Sequence, residues 1–151
     1  MGEDETTEIR VELNSSLDTK PSLRDSLEDF GKELLGVPYI YAGSSRAGFD
    51  CSGFVHYVFK NFGISVPRSS SQFSDFGEEV ALDLVQKGDI LVFLSPTRDE
   101  IGHLGIVINP NGMETEFIHA SSGKEMQVVI SSLKQPNYNR RFVKAIKVIE
   151  E

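Results

Sequence analysis

The spacing of apolar positions along this chain changes once. Leu23, Leu27, Phe30 and Leu34 stand four, three and four residues apart, the repeat of one helical face, and Gly36 followed by Pro38 is placed to end that helix. Residues 37–48, interrupted by Pro38, Gly43, Ser44, Ser45 and Gly48, predict a loop that carries Tyr39 and Tyr41. The run Phe54-Val55-His56-Tyr57-Val58-Phe59 predicts a second helix over residues 51–62, closed at Gly63. After Pro67, the polar run Arg68-Ser69-Ser70-Ser71-Gln72 opens a short third helix through Phe76, with a serine as cap. Beyond it the period falls towards two. Strands are predicted at residues 89–94, 104–108, 116–120, 127–130 and 142–149, separated by turns such as Lys87-Gly88, Asn109-Pro110-Asn111-Gly112 and Ser121-Ser122-Gly123.

Helices first and strands after, joined by short connections, predict an α+β domain in which N-terminal helices pack on an antiparallel sheet of about five strands. No internal repeat is present. At 151 residues and 39% hydrophobic content, one domain with its own core is expected over residues 21–151. Residues 1–20 differ in character: acidic and polar at first, then rich in Ser, Thr and Asp, they read as a flexible leader in which Ile9, Val11 and Leu13 alternate enough for a short edge strand. Met1-Gly2 opens no charged n-region or apolar h-region, so no secretory signal is read in this chain. An acidic tether following a removed signal would suit an exported or lipid-anchored protein, and a cytoplasmic one is the alternative.

A net charge of -8 argues against a nucleic-acid or anionic-membrane surface. There is no apolar stretch of membrane-spanning length, and one cysteine excludes an intramolecular disulfide framework. That cysteine, Cys51, sits in Phe49-Asp50-Cys51-Ser52-Gly53, where a glycine-rich loop meets the second helix. Unpaired amides and the dipole at a helix start lower thiol pKa, so a reactive thiolate is expected there. Downstream, His103 in Ile101-Gly102-His103-Leu104 and His119 in Phe117-Ile118-His119-Ala120 each adjoin a strand-like run. One cysteine with two later histidines reads as nucleophile, base and orienter. His56 lies about 140° round the helix from Cys51 and is excluded from that set.

Six segments in order resemble the NlpC family of papain-like bacterial cell-wall cysteine peptidases: residues 36–43 (GVPYIYAG), 49–55 (FDCSGFV), 66–68 (VPR), 87–93 (KGDILVF), 102–107 (GHLGIV) and 118–120 (IHA). The resemblance runs from about Leu23 to Ile149. It implies a papain-like core and hydrolysis of peptidoglycan stem peptides or cross-links. Cys51 would be the nucleophile, His103 the base and His119 the third polar residue, with Tyr39 matching a tyrosine beside the nucleophile. The expected substrate bond is first that between D-glutamate and a diamino acid, and second a cross-link, each through a thioester.

On that chemistry, His103 would hold the thiolate and later protonate the leaving amine, while His119 fixes the imidazole. The Cys51 amide and the Tyr39 hydroxyl are candidate oxyanion donors, although a buried aromatic reading of Tyr39 stands beside it. Asp50 and Ser52 are candidates for substrate binding, Asp50 equally as a helix cap. Arg68 is a candidate for a substrate carboxylate, with loop bracing as the alternative. A papain-like acyltransferase remains open, as does a zinc site of Cys51, His103 and His119, poor without a fourth ligand. No cofactor or metal is expected, the partners are peptidoglycan peptides, the chain is expected to be a monomer, and its place is the periplasm or cell envelope.

Overall fold

Ser22 accepts a hydrogen bond from the Asp25 amide at 3.0 Å, and this cap starts helix α1, Leu23–Glu33. The computed structural model describes residues 22–150, so the leader and its alternating Ile9, Val11 and Leu13 lie outside the described residues. Gly36, at φ 87°, follows the end of α1 as the spacing predicts. The expected loop contains a small hairpin, β1 (Ser44–Ser45) paired antiparallel with β2 (Gly48–Phe49). Asp50 then caps α2, Cys51–Lys60, by accepting the Gly53 amide at 2.6 Å. This helix ends at Lys60, and residues 61–63 form a turn that reaches Gly63 at φ 73°. The expected third helix is a single 3₁₀ stretch, Ser70–Ser74.

Six strands follow rather than five. They are β3 (Glu78–Val80), β4 (Ile90–Leu94), β5 (Ile101–Asn109), β6 (Glu116–Ala120), β7 (Val128–Ser132) and, after the short helix α3 (Pro136–Arg141), β8 (Phe142–Lys147). All pairs are antiparallel, in the order β3-β8-β4-β5-β6-β7. The unanticipated strand, β3, begins with two exposed glutamates and joins the edge of the sheet only through β8, so no alternation marks it. Helix α3 was equally silent, because Tyr138 is its only buried residue and six residues hold less than two turns of pattern.

Both sheet faces are covered. On one, Ile90, Val92, Leu104, Ile106, Ile118 and Ile146 meet Leu27 and Leu34 of the α1 region and Phe54, Val55, Val58 and Phe59 of α2. On the other, Leu91, Phe93, Val107 and Phe117 pack against Val85, Leu133 and Tyr138. A buried ion pair, Arg24 to Asp89 at 3.1 Å, ties α1 to the entry of β4, and Arg24 also donates to the carbonyls of Lys87 and Ile149. The turn expected at Lys87-Gly88 is thus held by an anchor on both Lys87 and Asp89. Among the described residues, no helix is long and apolar enough to cross a membrane.

Candidate active site

The hairpin β1–β2 and the Asp50 cap deliver Cys51 to the first position of α2, where it is almost wholly buried. Close packing fixes that position. A Cβ on Gly53 would lie 1.9 Å from the Gly43 carbonyl oxygen, so only glycine lets the helix sit this near the loop. Across from α2, β4 and β5 pair Phe93 with His103 and Leu94 with Ile101, which leaves Gly102 as an extra residue. The Gly102 carbonyl accepts from the Cys51 thiol at 3.6 Å. The bulge thus sets the nucleophile one residue from His103 along the strand.

His103 and His119 share the sheet face of Phe93, Phe117 and Tyr138. His103 Nε2 and His119 Nδ1 are 2.8 Å apart, and His119 Nε2 is 2.9 Å from Ser131 Oγ. Two proton arrangements satisfy both contacts. In one, His103 Nε2–H donates to His119 Nδ1 and His119 Nε2–H donates to Ser131 Oγ, leaving a lone pair on His103 Nδ1. The other reverses both bonds and puts a proton on that Nδ1. Only the first makes His103 a base, and it also suits the imidazolium that follows proton uptake. Among the described residues, His103 Nδ1 has no hydrogen-bond partner.

Electrostatics correct one sequence expectation. The Cys51 thiol is pushed up to about 11, first by burial and then by the Asp50 carboxylate, which outweigh the amides that favour a thiolate. Burial among aromatic rings lowers His103 to about 3, helped by the Arg141 charge, and it holds His119 well below the ordinary range. Burial thus favours the neutral forms of the thiol and of both imidazoles. Tyr39, half-buried, is raised to about 12 by burial, then by Cys51 and Asp50, which places its hydroxyl in their field. That hydroxyl makes no hydrogen bond among the described residues.

Asp50, Ser52 and Arg68 form one network. Arg68 donates to Asp50 Oδ1 at 3.0 Å and Oδ2 at 3.3 Å, to Ser52 Oγ at 3.0 Å, and to the carbonyls of Ala42 and Gly43 at 3.1 and 3.2 Å. With its fork so occupied, Arg68 braces the loop, and a substrate carboxylate would have to compete with Asp50. His56 shares two surface grooves, about 310 and 320 Å³, with Lys60, and neither is lined by Cys51, His103 or His119. Among the described residues no group of three or more His, Cys, Asp or Glu is placed to hold a metal ion, which leaves the zinc alternative without a geometry. Ser131 lies one residue beyond the strand expected over residues 127–130; the strand runs on to Ser132 and puts that hydroxyl opposite Phe117, two residues from His119.

The family model described as "NlpC/P60 family" matches residues 36–147. A gamma-D-glutamyl-L-lysine dipeptidyl-peptidase of Bacillus cereus is 38% identical over 122 residues, covering 80% of this chain and 35% of that protein. The murein DD-endopeptidase and murein LD-carboxypeptidase MepS of Escherichia coli K12 is 33% identical, over 91% of this chain and 67% of its own length. Among solved structures, an NlpC/P60 family protein from Bacillus cereus superposes with a TM-score of 0.74 at 35% identity, covering 86% of this chain and 41% of that one. The chain thus spans about a third of the first relative and two thirds of the second.

Proposed function

Because this chain belongs to the NlpC/P60 family, we propose that it is a cysteine endopeptidase that cleaves peptidoglycan stem peptides, first between D-glutamate and a diamino acid. The observation that carries this reading is the relay Ser131–His119–His103 ending beside the Gly102 carbonyl that holds the only thiol. In the proposed reaction, substrate exchanges the Gly102 contact for alignment with His103, whose Nδ1 takes the thiol proton as sulfur attacks the carbonyl carbon. The oxyanion is met by the Cys51 amide and the Tyr39 hydroxyl. Collapse breaks the C–N bond, the amine leaves with the proton from His103, and a thioester remains. Water, deprotonated by the same imidazole, then frees the acid and the thiol. A thiol held neutral until attack suits such general-base activation. Asp50 and Ser52, beside the nucleophile, are the groups offered to a substrate amine, with Arg68 holding both in place. The substrate implies an exported protein working in the cell envelope.

Digestion of purified peptidoglycan, with mass spectrometry of the fragments, tests this. Wild-type protein should release fragments cut between D-glutamate and the diamino acid, and Cys51→Ala should release none while remaining folded. Fragments cut at the cross-link would move the reading to the second bond, and transfer products to an acyltransferase. Full activity of Cys51→Ala would overturn the mechanism.

A further inference from the structure

Arg141, the last residue of α3, is a half-buried guanidinium that has no ionic partner among the described residues. It donates to the Leu94 carbonyl at 2.9 Å, to the Asn137 carbonyl at 3.2 Å and to Asn137 Oδ1 at 3.4 Å, and it lies 5.3 Å from the centre of the Tyr138 ring. Every one of these contacts is neutral. Burial lowers its pKa, and its charge in turn reaches His103 and His119, so it is held at a cost in a place where it acts on the catalytic pair. It also borders a cavity of about 190 Å³, together with His103, Ser122, Gly123, Asn137 and Tyr138. Cys51 does not line that cavity.

Direction follows from the chemistry. The imidazole that takes the thiol proton must hand it to the departing nitrogen, so the leaving segment passes over His103. A cavity walled by His103 but not by the nucleophile lies on that side. We propose that this cavity receives the leaving segment of the substrate, and that Arg141 binds a carboxylate carried by it. The inference rests on the endopeptidase reading above. In a diamino acid peptide the chain terminus supplies a carboxylate, and where the diamino acid is a dicarboxylic one its side chain supplies a second. Either matches a planar guanidinium with N–H groups to spare.

Three matched peptides separate them: one whose leaving diamino acid carries both carboxylates, its C-terminal amide, and a counterpart lacking the side-chain carboxylate. For wild type, kcat/KM should fall on the order of ten-fold or more in the arm that lacks the recognised group, the loss of one charge-assisted contact. In Arg141→Gln the ratio between that arm and the full acid should approach one, and Arg141→Lys should retain part of it. A second measurement uses wild type alone: the free diamino acid should inhibit competitively, and its derivative lacking the recognised carboxylate should inhibit at least several-fold less. Equal rates on all three peptides with equal inhibition, or a ratio that survives in Arg141→Gln, would overturn the assignment of Arg141 while leaving the endopeptidase reading intact. A wild type inert on all three overturns that reading and this inference together.

Discussion

Cys51 departs from the common picture of an activated thiol. Its thiol donates to the Gly102 carbonyl, it is almost wholly buried, and the carboxylate of Asp50 opposes negative charge on sulfur. Alkylation by iodoacetamide should therefore show one label whose rate keeps climbing through the ordinary thiol pKa of about 8.5 and beyond. A rate already level at neutral pH would show that a neighbour forms the thiolate, contrary to this site. The relay behind it should grade in severity. His103→Ala removes proton transfer in both half-reactions and should cost on the order of 100-fold or more in kcat/KM. His119→Ala should cost less, and Ser131→Ala roughly ten-fold or under, the worth of one hydrogen bond. An inverted order in steady-state rates would reassign the roles.

At the level of elements, the site is a junction between one helix start and one bulged strand. Gly53 lets α2 approach the loop, while at Gly102 a Cβ would lie 2.7 Å from the Ser95 side chain. Gly53→Ala must push α2 and loop apart, because the obstacle is backbone, and it should lower both thermal stability and turnover. Loss of neither, in paired melting and activity measurements, would mean that the junction is loose. Further away, Asp89→Asn takes the carboxylate charge from the buried pair with Arg24, and it should destabilise by up to about 3 kcal/mol in denaturant unfolding. A change under about 1 kcal/mol would show that the charge on Asp89 adds little to this anchor.

For the molecule as a whole, the two buried histidines make stability depend on pH. Their folded pKa values lie below the ordinary 6.5, so below that pH the unfolded chain binds protons that the folded chain refuses. Stability is then fully present above about 6.5 and declines on acidification, the His103 share levelling off near its folded value of about 3. The urea midpoint should fall between pH 7 and pH 5, a window above most carboxylate titration. An equal midpoint at both values would show that the histidines charge readily in the folded state.

Much of this is legible in the sequence. The helices at Leu23–Glu33 and Cys51–Lys60 and five of the six sheet strands follow from apolar period and from Asp50, Gly36 and Gly63, since caps and periodicity are local properties. Cys51, His103 and His119 stood out by residue type and motif. Tertiary structure alone decided the rest. The edge strand Glu78–Val80 exists because Phe142–Lys147 offers it a partner, which no local pattern encodes. The register that leaves Gly102 unpaired, and so turns its carbonyl to the thiol, depends on pairing between strands. Ser131 became the end of the relay by facing Phe117 across two strands, and Arg141 came beside His103 through a short helix with no pattern to show it. The thiol's pKa divides in the same way: the helix dipole is written in the sequence, but desolvation is a property of everything packed around the sulfur.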